Sequence, residues 1–439
     1  MFLCGNHKGK RSGIFRFVSA SSMVGGGGRN LEPCVLISGG GPSGLLTAIL
    51  LNNIGVTSIV VERAGGGDEW SSKSYTLVLG EKGLHGLERG GCIESALATG
   101  TERRFVYLFD GRTGEVKTIP KKPVGVCFTR PMLVECIESI ALACPRVVLK
   151  KGVGVKKVVK DDELGICVHL EDGTVISATH VIGADGKWSN VRQSSPPLNS
   201  QARIVTCPSF GVHMNSPTLP KGFKTDGTYI INPPKECMFY IIASPHPSGG
   251  LSISMVCYDE TLSRYPWLEP TSHEESGDGD NTEGAWDDQY SALLDTMESE
   301  KQLPQLLQNI FREEVPEFFK LIDKEAFRSA RVNRRTSWLQ MSETDGNNVA
   351  YSTKDGKIAL IGDAAHSMTP SLGEGCNTAL ESAVKLVDSV SSVMNEKGES
   401  TCSLDSLSEG FARYGSTRPK ECIPVQEESQ ARNIFRKAE

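Results

Sequence analysis

Nowhere in the 439 residues is there an apolar run long enough to cross a bilayer. The most apolar stretch, 34–51, is interrupted by Gly39, Gly40, Gly41, Pro42 and Gly44, whereas a spanning helix wants about 20 predominantly apolar residues. No transmembrane segment is predicted. Neither Cys-x-x-Cys nor His-x-x-x-His occurs, although the chain holds 13 cysteines and 8 histidines. Zinc and dithiol chemistry therefore have no sequence support, and the cysteines read as mostly buried free thiols. A basic excess is absent too: the formal net charge is −6, so nucleic acid is not an expected partner. Extremes of composition are also missing, with 38% hydrophobic and 23% charged residues, which excludes collagen-like, disordered and disulfide-scaffold classes. What is present is enough chain for two or three domains with ordinary cores.

The basic charge is concentrated at the start. Residues 1–30 contain Lys8, Lys10, Arg11, Arg16 and Arg29, no acid, and end in Gly25–Gly28 and two more residues. They are expected to be a disordered segment or an organelle transit peptide, for chloroplast or mitochondrion, with a cytoplasmic protein as the alternative. After Pro33 the texture changes. Cys34–Ser38 reads as a buried strand, Leu45–Ile54 as a helix ended by Gly55, and Ser58–Val61 as a second buried strand. This is the β–turn–α–β unit that builds parallel sheets. Further strands are predicted at 147–149 and within 153–182, with a hairpin at Asp172-Gly173. Between 200 and 260 the short strands Arg203–Met214, Gly227–Ile231, Cys237–Ala243 and Leu251–Tyr258, separated by Pro and Gly, predict a mostly antiparallel sheet. An acidic, Gly- and Ser-rich loop follows at about 269–285. Helix is predicted over 286–322, a strand at Lys357–Ile361, and a helix through about Met394.

Three segments carry chemistry. Gly39-Gly40-Gly41-Pro42-Ser43-Gly44 satisfies G-x-G-x-x-G between a strand and a helix, and Glu62 closes the next strand. Gly39 suits the tight turn, Gly41 lets backbone approach a pyrophosphate, Gly44 permits close helix packing, and Glu62 suits ribose hydroxyls. The helix N-terminus favours phosphate. A dinucleotide is the implied ligand, and no second fingerprint occurs. The second segment is Gly183-Ala-Asp185-Gly186 with Ser189, Val191 and Arg192. In the third, Gly362-Asp363 ends a buried strand, and Pro370, Gly373, Gly375 and Asn377 form a Gly-rich entry to a helix. His366, between them, reads as a structural histidine.

Taken together these segments resemble the single-component FAD-dependent aromatic hydroxylases, the group of p-hydroxybenzoate hydroxylase, over about 33–435. Arg130 before Leu133 and Ile137, and Tyr414-x-x-x-Arg418-Pro419, add to the match. Ser74–Gly83 and Arg104-Phe105 look most like the kynurenine 3-monooxygenase branch. Two departures are Lys73, where many members have Arg, and Lys121, where that branch has a tyrosine after Ile-Pro. The resemblance implies an α/β fold: a Rossmann-like FAD domain with an inserted, mostly antiparallel substrate sheet. The expected segments are 31–105, 125–200 and 345–395 for FAD, 106–124 and 201–344 for substrate, and 396–439 as a helical C-terminal part. FAD would be held by Gly39, Gly41, Pro42, Ser43, Gly44, Glu62, Arg63, Arg130, Asp185, Gly362, Asp363, Pro370, Gly373, Gly375 and Asn377. Arg104 and Asn377 would touch substrate, Arg104 by pairing with a carboxylate.

The implied activity is hydroxylation of a small, aromatic substrate. NAD(P)H visits to reduce the flavin, O2 adds at its C4a position, and one oxygen atom passes to the substrate. No side-chain nucleophile or metal is required. The alternatives are a same-fold reductase or an epoxidase acting on an isoprenoid, and a flavin-fold binding protein without catalysis.

Overall fold

The computed structural model describes residues 32–65, 76–161, 165–247, 249–268, 299–344 and 348–435. The 1–30 segment and the acidic 269–285 loop thus lie outside the described residues, as do 286–298 of the expected helix.

Strands β1 (Cys34–Ser38), β2 (Thr57–Glu62), β6 (Val147–Lys151), β10 (His180–Gly183) and β16 (Ile358–Leu360) form a parallel sheet in the order β16-β10-β1-β2-β6. Their short apolar runs are buried from both sides, as parallel strands require. Helix α1 (Pro42–Asn53) is buried over Ser43–Leu51 without a polar face, because it is enclosed by the sheet and by helices α2 (Arg130–Ala143) and α6 (Gly375–Lys397). A three-stranded meander, β7 (Val155–Asp161), β8 (Gly165–Leu170) and β9 (Val175–Ala178), contains the predicted hairpin at Asp172-Gly173.

The second sheet has eight strands in the order β15-β11-β14-β13-β12-β4-β5-β3. They are β3 (Thr76–Leu79), β4 (Thr101–Asp110), β5 (Val116–Thr129), β11 (Ala202–Ser216), β12 (Gly227–Asn232), β13 (Phe239–Pro245), β14 (Leu251–Tyr258) and β15 (Arg331–Met341). It is antiparallel except between β12 and β4, which run parallel in register Phe105↔Gly227 to Asp110↔Asn232. The 31–105 stretch therefore feeds both sheets, since β3 and the start of β4 pair in the second one.

Strand β13 starts at Phe239, two residues later than Cys237. Pro233 and Pro234 cannot donate to a ladder, so Lys235–Cys237 forms a 3-10 turn and Met238 takes φ +52°. The predicted 286–322 helix is split where described: α3 (Ser299–Glu314) and α4 (Pro316–Leu321) meet at Pro316. The chain closes with α5 (Asp363–His366), α6, α7 (Leu404–Thr417) and α8 (Pro419–Phe435). The twelve described cysteines are free thiols, and no described helix is long and apolar enough to cross a membrane.

One face of the second sheet packs on α3 and α4 through Val212, Ile253, Ile241, Phe311 and Phe318, among others. This layer is pinned by one buried acid. Glu314 accepts from Tyr265 Oη at 2.9 Å and Cys237 Sγ at 3.0 Å, and pairs with Arg264. Burial opposes its ionisation, but the Cys237 and Tyr265 hydrogen bonds and the charges of Arg264 and Arg112 outweigh it and hold its pKa below the usual range. The ionised carboxylate therefore stabilises the fold fully near neutral pH, and that contribution is lost as pH falls through the lowered pKa. Glu314→Ala is expected to cost about 2–3 kcal/mol in urea unfolding at pH 7. The deficit should shrink in acid; an unchanged deficit there contradicts this account.

Candidate FAD and substrate site

The three motif segments meet at the C-terminal ends of adjacent strands. Strand β1 delivers the Gly39–Gly44 turn, β10 the Asp185 turn and β16 the Gly362-Asp363 turn, and these strands are neighbours in the parallel sheet. Open parallel sheets bind ligands in this position.

Gly39 has φ +106°, and a Cβ there would lie 2.3 Å from the Ala184 carbonyl oxygen. A Cβ on Gly44 would lie 2.0 Å from the Gly39 carbonyl oxygen. Both glycines are compulsory for the turn to close. Gly41 is different: a Cβ there meets nothing within 4 Å, so its open side is the approach for a ligand. Pro42 and Ser43 begin α1, whose first N–H groups have no intrahelical acceptors. Glu62 braces the turn, its Oε2 accepting from Gly40 N at 2.5 Å and its Oε1 from Ala64 N at 2.9 Å. Each oxygen keeps a lone pair for a ribose hydroxyl. Arg63, next in sequence, is half-exposed and paired with Glu171 at 3.3 Å.

Asp185 accepts from Val191 N at 3.2 Å through Oδ2, while its Oδ1 is buried without a hydrogen-bond partner. Burial pushes its carboxyl pKa up; Ser189, Val191 and Arg192 oppose that. Gly362 has φ +58°, and a Cβ there would come 3.0 Å from Ser43 Oγ, so the third turn rests on the first. Asp363 follows at the start of α5. Its side chain is exposed, yet the protein packed near it raises its pKa, against the charges of Lys187 and Arg130. Beyond Pro370, Gly373 takes φ +70° and Gly375 opens α6. Cys376 beside it is pushed up to about 12 by burial and then by Asp363, so its thiol is protonated at neutral pH and is no nucleophile. His366 is buried and pushed down to about 3 by burial and then by Arg418, with Nε2 2.8 Å from Ser382 Oγ. It is a neutral structural group.

These features fit an FAD: an open seat over Gly41, a ribose acceptor in Glu62, an orphaned acceptor in Asp185, a carboxylate at Asp363 and a helix N-terminus at Gly375. The FAD binding domain family matches residues 32–409. This chain belongs to that family. It is an FAD-dependent monooxygenase, an oxidoreductase. Among curated relatives, it is 23% identical over 374 residues to an FAD-dependent urate hydroxylase of Mycolicibacterium vanbaalenii, covering 80% of this chain and 78% of that protein. It is also 23% identical to kynurenine 3-monooxygenase of Dictyostelium discoideum, covering 81% and 69% respectively. A solved structure of a single-residue variant of Klebsiella pneumoniae HpxO, complexed with FAD, superposes with a TM-score of 0.65 at 16% identity, covering 92% of this chain and 90% of that one. That likeness establishes the fold: a parallel-sheet FAD part and a curled, mostly antiparallel second sheet.

The two expected substrate contacts of the monooxygenase are placed as follows. Asn377 is 2% exposed, and its side-chain amide is spent on backbone. Oδ1 accepts from Gly80 N at 2.9 Å, and Nδ2 donates to Val78 O at 3.2 Å and Gly373 O at 3.3 Å. It clamps the end of β3 to the Gly373 turn, with both amide hydrogens engaged. Arg104 is exposed and paired with Glu102. Its neighbour Arg103 points inward instead, 1% exposed, and donates to the carbonyls of Thr225 and Pro245. Adjacent strand residues face opposite sides, and a register shift between Arg103 and Phe105 sets which arginine goes in. Arg103 was not recognisable in the sequence because nothing local reports that register. Arg104→Met is accordingly expected to change flavin content, stability and ligand response negligibly, within about 0.5 kcal/mol. Arg103→Met should lower the thermal midpoint clearly. The reverse ranking in melts and titrations contradicts the placement.

Proposed function

We propose that this monooxygenase uses NAD(P)H and O2 to hydroxylate a small, electron-rich aromatic substrate. The observation that carries the reading is the convergence of the Gly39–Gly44, Asp185 and Asp363 turns on three adjacent strand ends, with the Gly373–Gly375 entry to α6 beside them. When bound, FAD supplies the redox and oxygen chemistry. The chain supplies placement. The Gly41 backbone and α1 would seat the pyrophosphate, Glu62 the ribose and Asp363 a hydroxyl of the ribityl chain, and the start of α6 would favour negative charge near it. No proton-transfer residue is assigned, because His366 and Cys376 are locked in their neutral forms.

The names of the relatives, with urate and kynurenine as substrates, support an aromatic acceptor, as does the likeness of 74–83 to the kynurenine branch. Residues 1–30 are proposed as an organelle address, testable by fusing them to a fluorescent reporter.

The test measures flavin absorbance of the purified protein, then NAD(P)H oxidation and O2 uptake against a panel of phenols, aromatic amines and isoprenoids. The expected result is yellow protein whose NAD(P)H oxidation rises with an aromatic compound that gains one oxygen atom. Reduction of an isoprenoid without O2 uptake overturns the reading.

A further inference from the structure

A cavity of about 800 Å³ opens at the entry of strand β16, lined there by Asp355 and Ile358. The same strand leaves the sheet at the Gly362-Asp363 turn. The cavity therefore lies at the opposite end of the parallel sheet from the flavin turns. Its walls come from β7, from 194–201 behind the Asp185 turn, and from 344–358 before β16. Ligand cavities commonly measure about 300–1,000 Å³ and are mostly apolar with a few polar groups. This one has that character, with Val158, Pro196, Pro197, Leu198, Ala350 and Ile358 supplying apolar surface.

Most polar groups of the walls are spent on the protein itself. Ser194 Oγ accepts from Val158 N at 3.0 Å and donates to Asn190 O at 2.7 Å. Gln201 uses both ends of its amide, on Ala350 N at 3.0 Å and Asn348 O at 3.4 Å. Thr353 Oγ1 donates to Asp355 Oδ1 at 2.6 Å. Ser195 is different. It is 3% exposed and stands just before the helical turn Pro196–Asn199, yet its hydroxyl caps nothing. Pro196 and Pro197 have no N–H to offer, and Leu198 N already donates to the Ser195 carbonyl at 3.0 Å. Among the described residues this buried hydroxyl makes no hydrogen bond, and leaving a buried donor unpaired is costly. An occupant of the cavity is its available partner.

The charged side chains of the lining are Lys160, Lys354 and Asp355, which leave a net single positive charge. Lys160 and Asp355 pair at 2.6 Å, and Lys354 has no ion-pair partner among the described residues. We propose that this cavity is a second ligand site, for a small apolar monocarboxylate whose body occupies the apolar space and whose carboxylate accepts from Ser195 Oγ. Lys354 favours the anion by its charge and needs no contact with it. The site contains no residue of the flavin turns, so it stands independently of the monooxygenase reading.

The experiment uses the FAD-loaded protein and two probes of equal chain length, octanoate and 1-octanol, titrated by calorimetry. Octanoate should bind about tenfold more tightly, the effect of a hydrogen bond to a charged group. Ser195→Ala should weaken octanoate about five- to tenfold, and Lys354→Glu, which reverses the net charge, about threefold, with smaller effects on 1-octanol. FAD content and melting temperature should be preserved in both variants. Octanoate carrying a photoreactive diazirine should label peptides within 194–201 or 350–358. Absence of octanoate binding, equal affinity for the two probes, labelling confined to other segments, or an affinity that survives both substitutions overturns the proposal. Each of those results leaves the flavoenzyme reading standing, and protein that binds octanoate as expected but purifies without flavin overturns that reading alone.

Discussion

Asp363→Ala protein is expected to purify nearly colourless. Asp363 is presented at the strand ends by a turn whose Gly362 rests on Ser43 of the Gly39–Gly44 turn, and the charges of Lys187 and Arg130 act on its carboxylate. A hydrogen bond to a charged group in such a place contributes about 1.5–3 kcal/mol, which converts to roughly 10–150-fold in FAD affinity. Gly41→Val should act as strongly by a different route. The added Cβ meets no protein atom within 4 Å, so the fold is undisturbed, but the side chain occupies the seat of the pyrophosphate. Gly44→Val is the contrasting control: its Cβ would overlap the Gly39 carbonyl oxygen, and folding itself should fail. The measurements are the flavin-to-protein absorbance ratio and far-ultraviolet circular dichroism. Folded Asp363→Ala and Gly41→Val proteins that keep stoichiometric FAD would refute the site.

Arg418→Met is expected to be among the most destabilising single changes in the chain. Arg418 is 2% exposed, yet it donates to Glu381 at 2.7 Å, Ser382 at 3.0 Å and the Thr378 carbonyl at 3.2 Å, and it pairs with Glu421. Ser382 in turn meets His366, the last residue of α5, and Tyr414 donates to Leu360 O at 3.1 Å. The network therefore ties α7 and α8 to α6 and to the short helix that presents Asp363. Removing the guanidinium leaves Glu381 and several buried polar groups without their partner, a loss of about 3–5 kcal/mol. A drop of roughly 3–6 °C in the thermal midpoint should accompany it, together with weaker FAD retention. Arg418→Lys should recover only part, since one ammonium cannot reach the same set of acceptors. A midpoint within about 2 °C of the parent would refute the network's role.

The flavin turns were legible because their requirements are local. A strand, a glycine that must take positive φ, a helix start and an acid at the next strand end lie within thirty residues, and backbone sterics alone dictate that pattern. The same holds for Asp185 and Asp363, each a short run from a buried strand into a turn. Asn377 and Arg104 lay beyond that reach. Asn377 is inside the Gly-rich motif, but its amide is taken by Val78 and Gly80, nearly three hundred residues earlier in the chain. Which of Arg103 and Arg104 faces inward depends on a register shift against β5, and a one-residue slip reverses the answer.

Local chain geometry and periodicity thus determined that this protein has a parallel βαβ core and where its glycine-rich turns lie. Tertiary structure alone decided that β12 and β4 pair in parallel, that Arg103 is the buried arginine, and that Val158, Leu198, Ala350 and Ile358 line one cavity. Those four come from stretches far apart in the chain. Only the packing of distant segments brings them together, and no short-range preference of the chain encodes it.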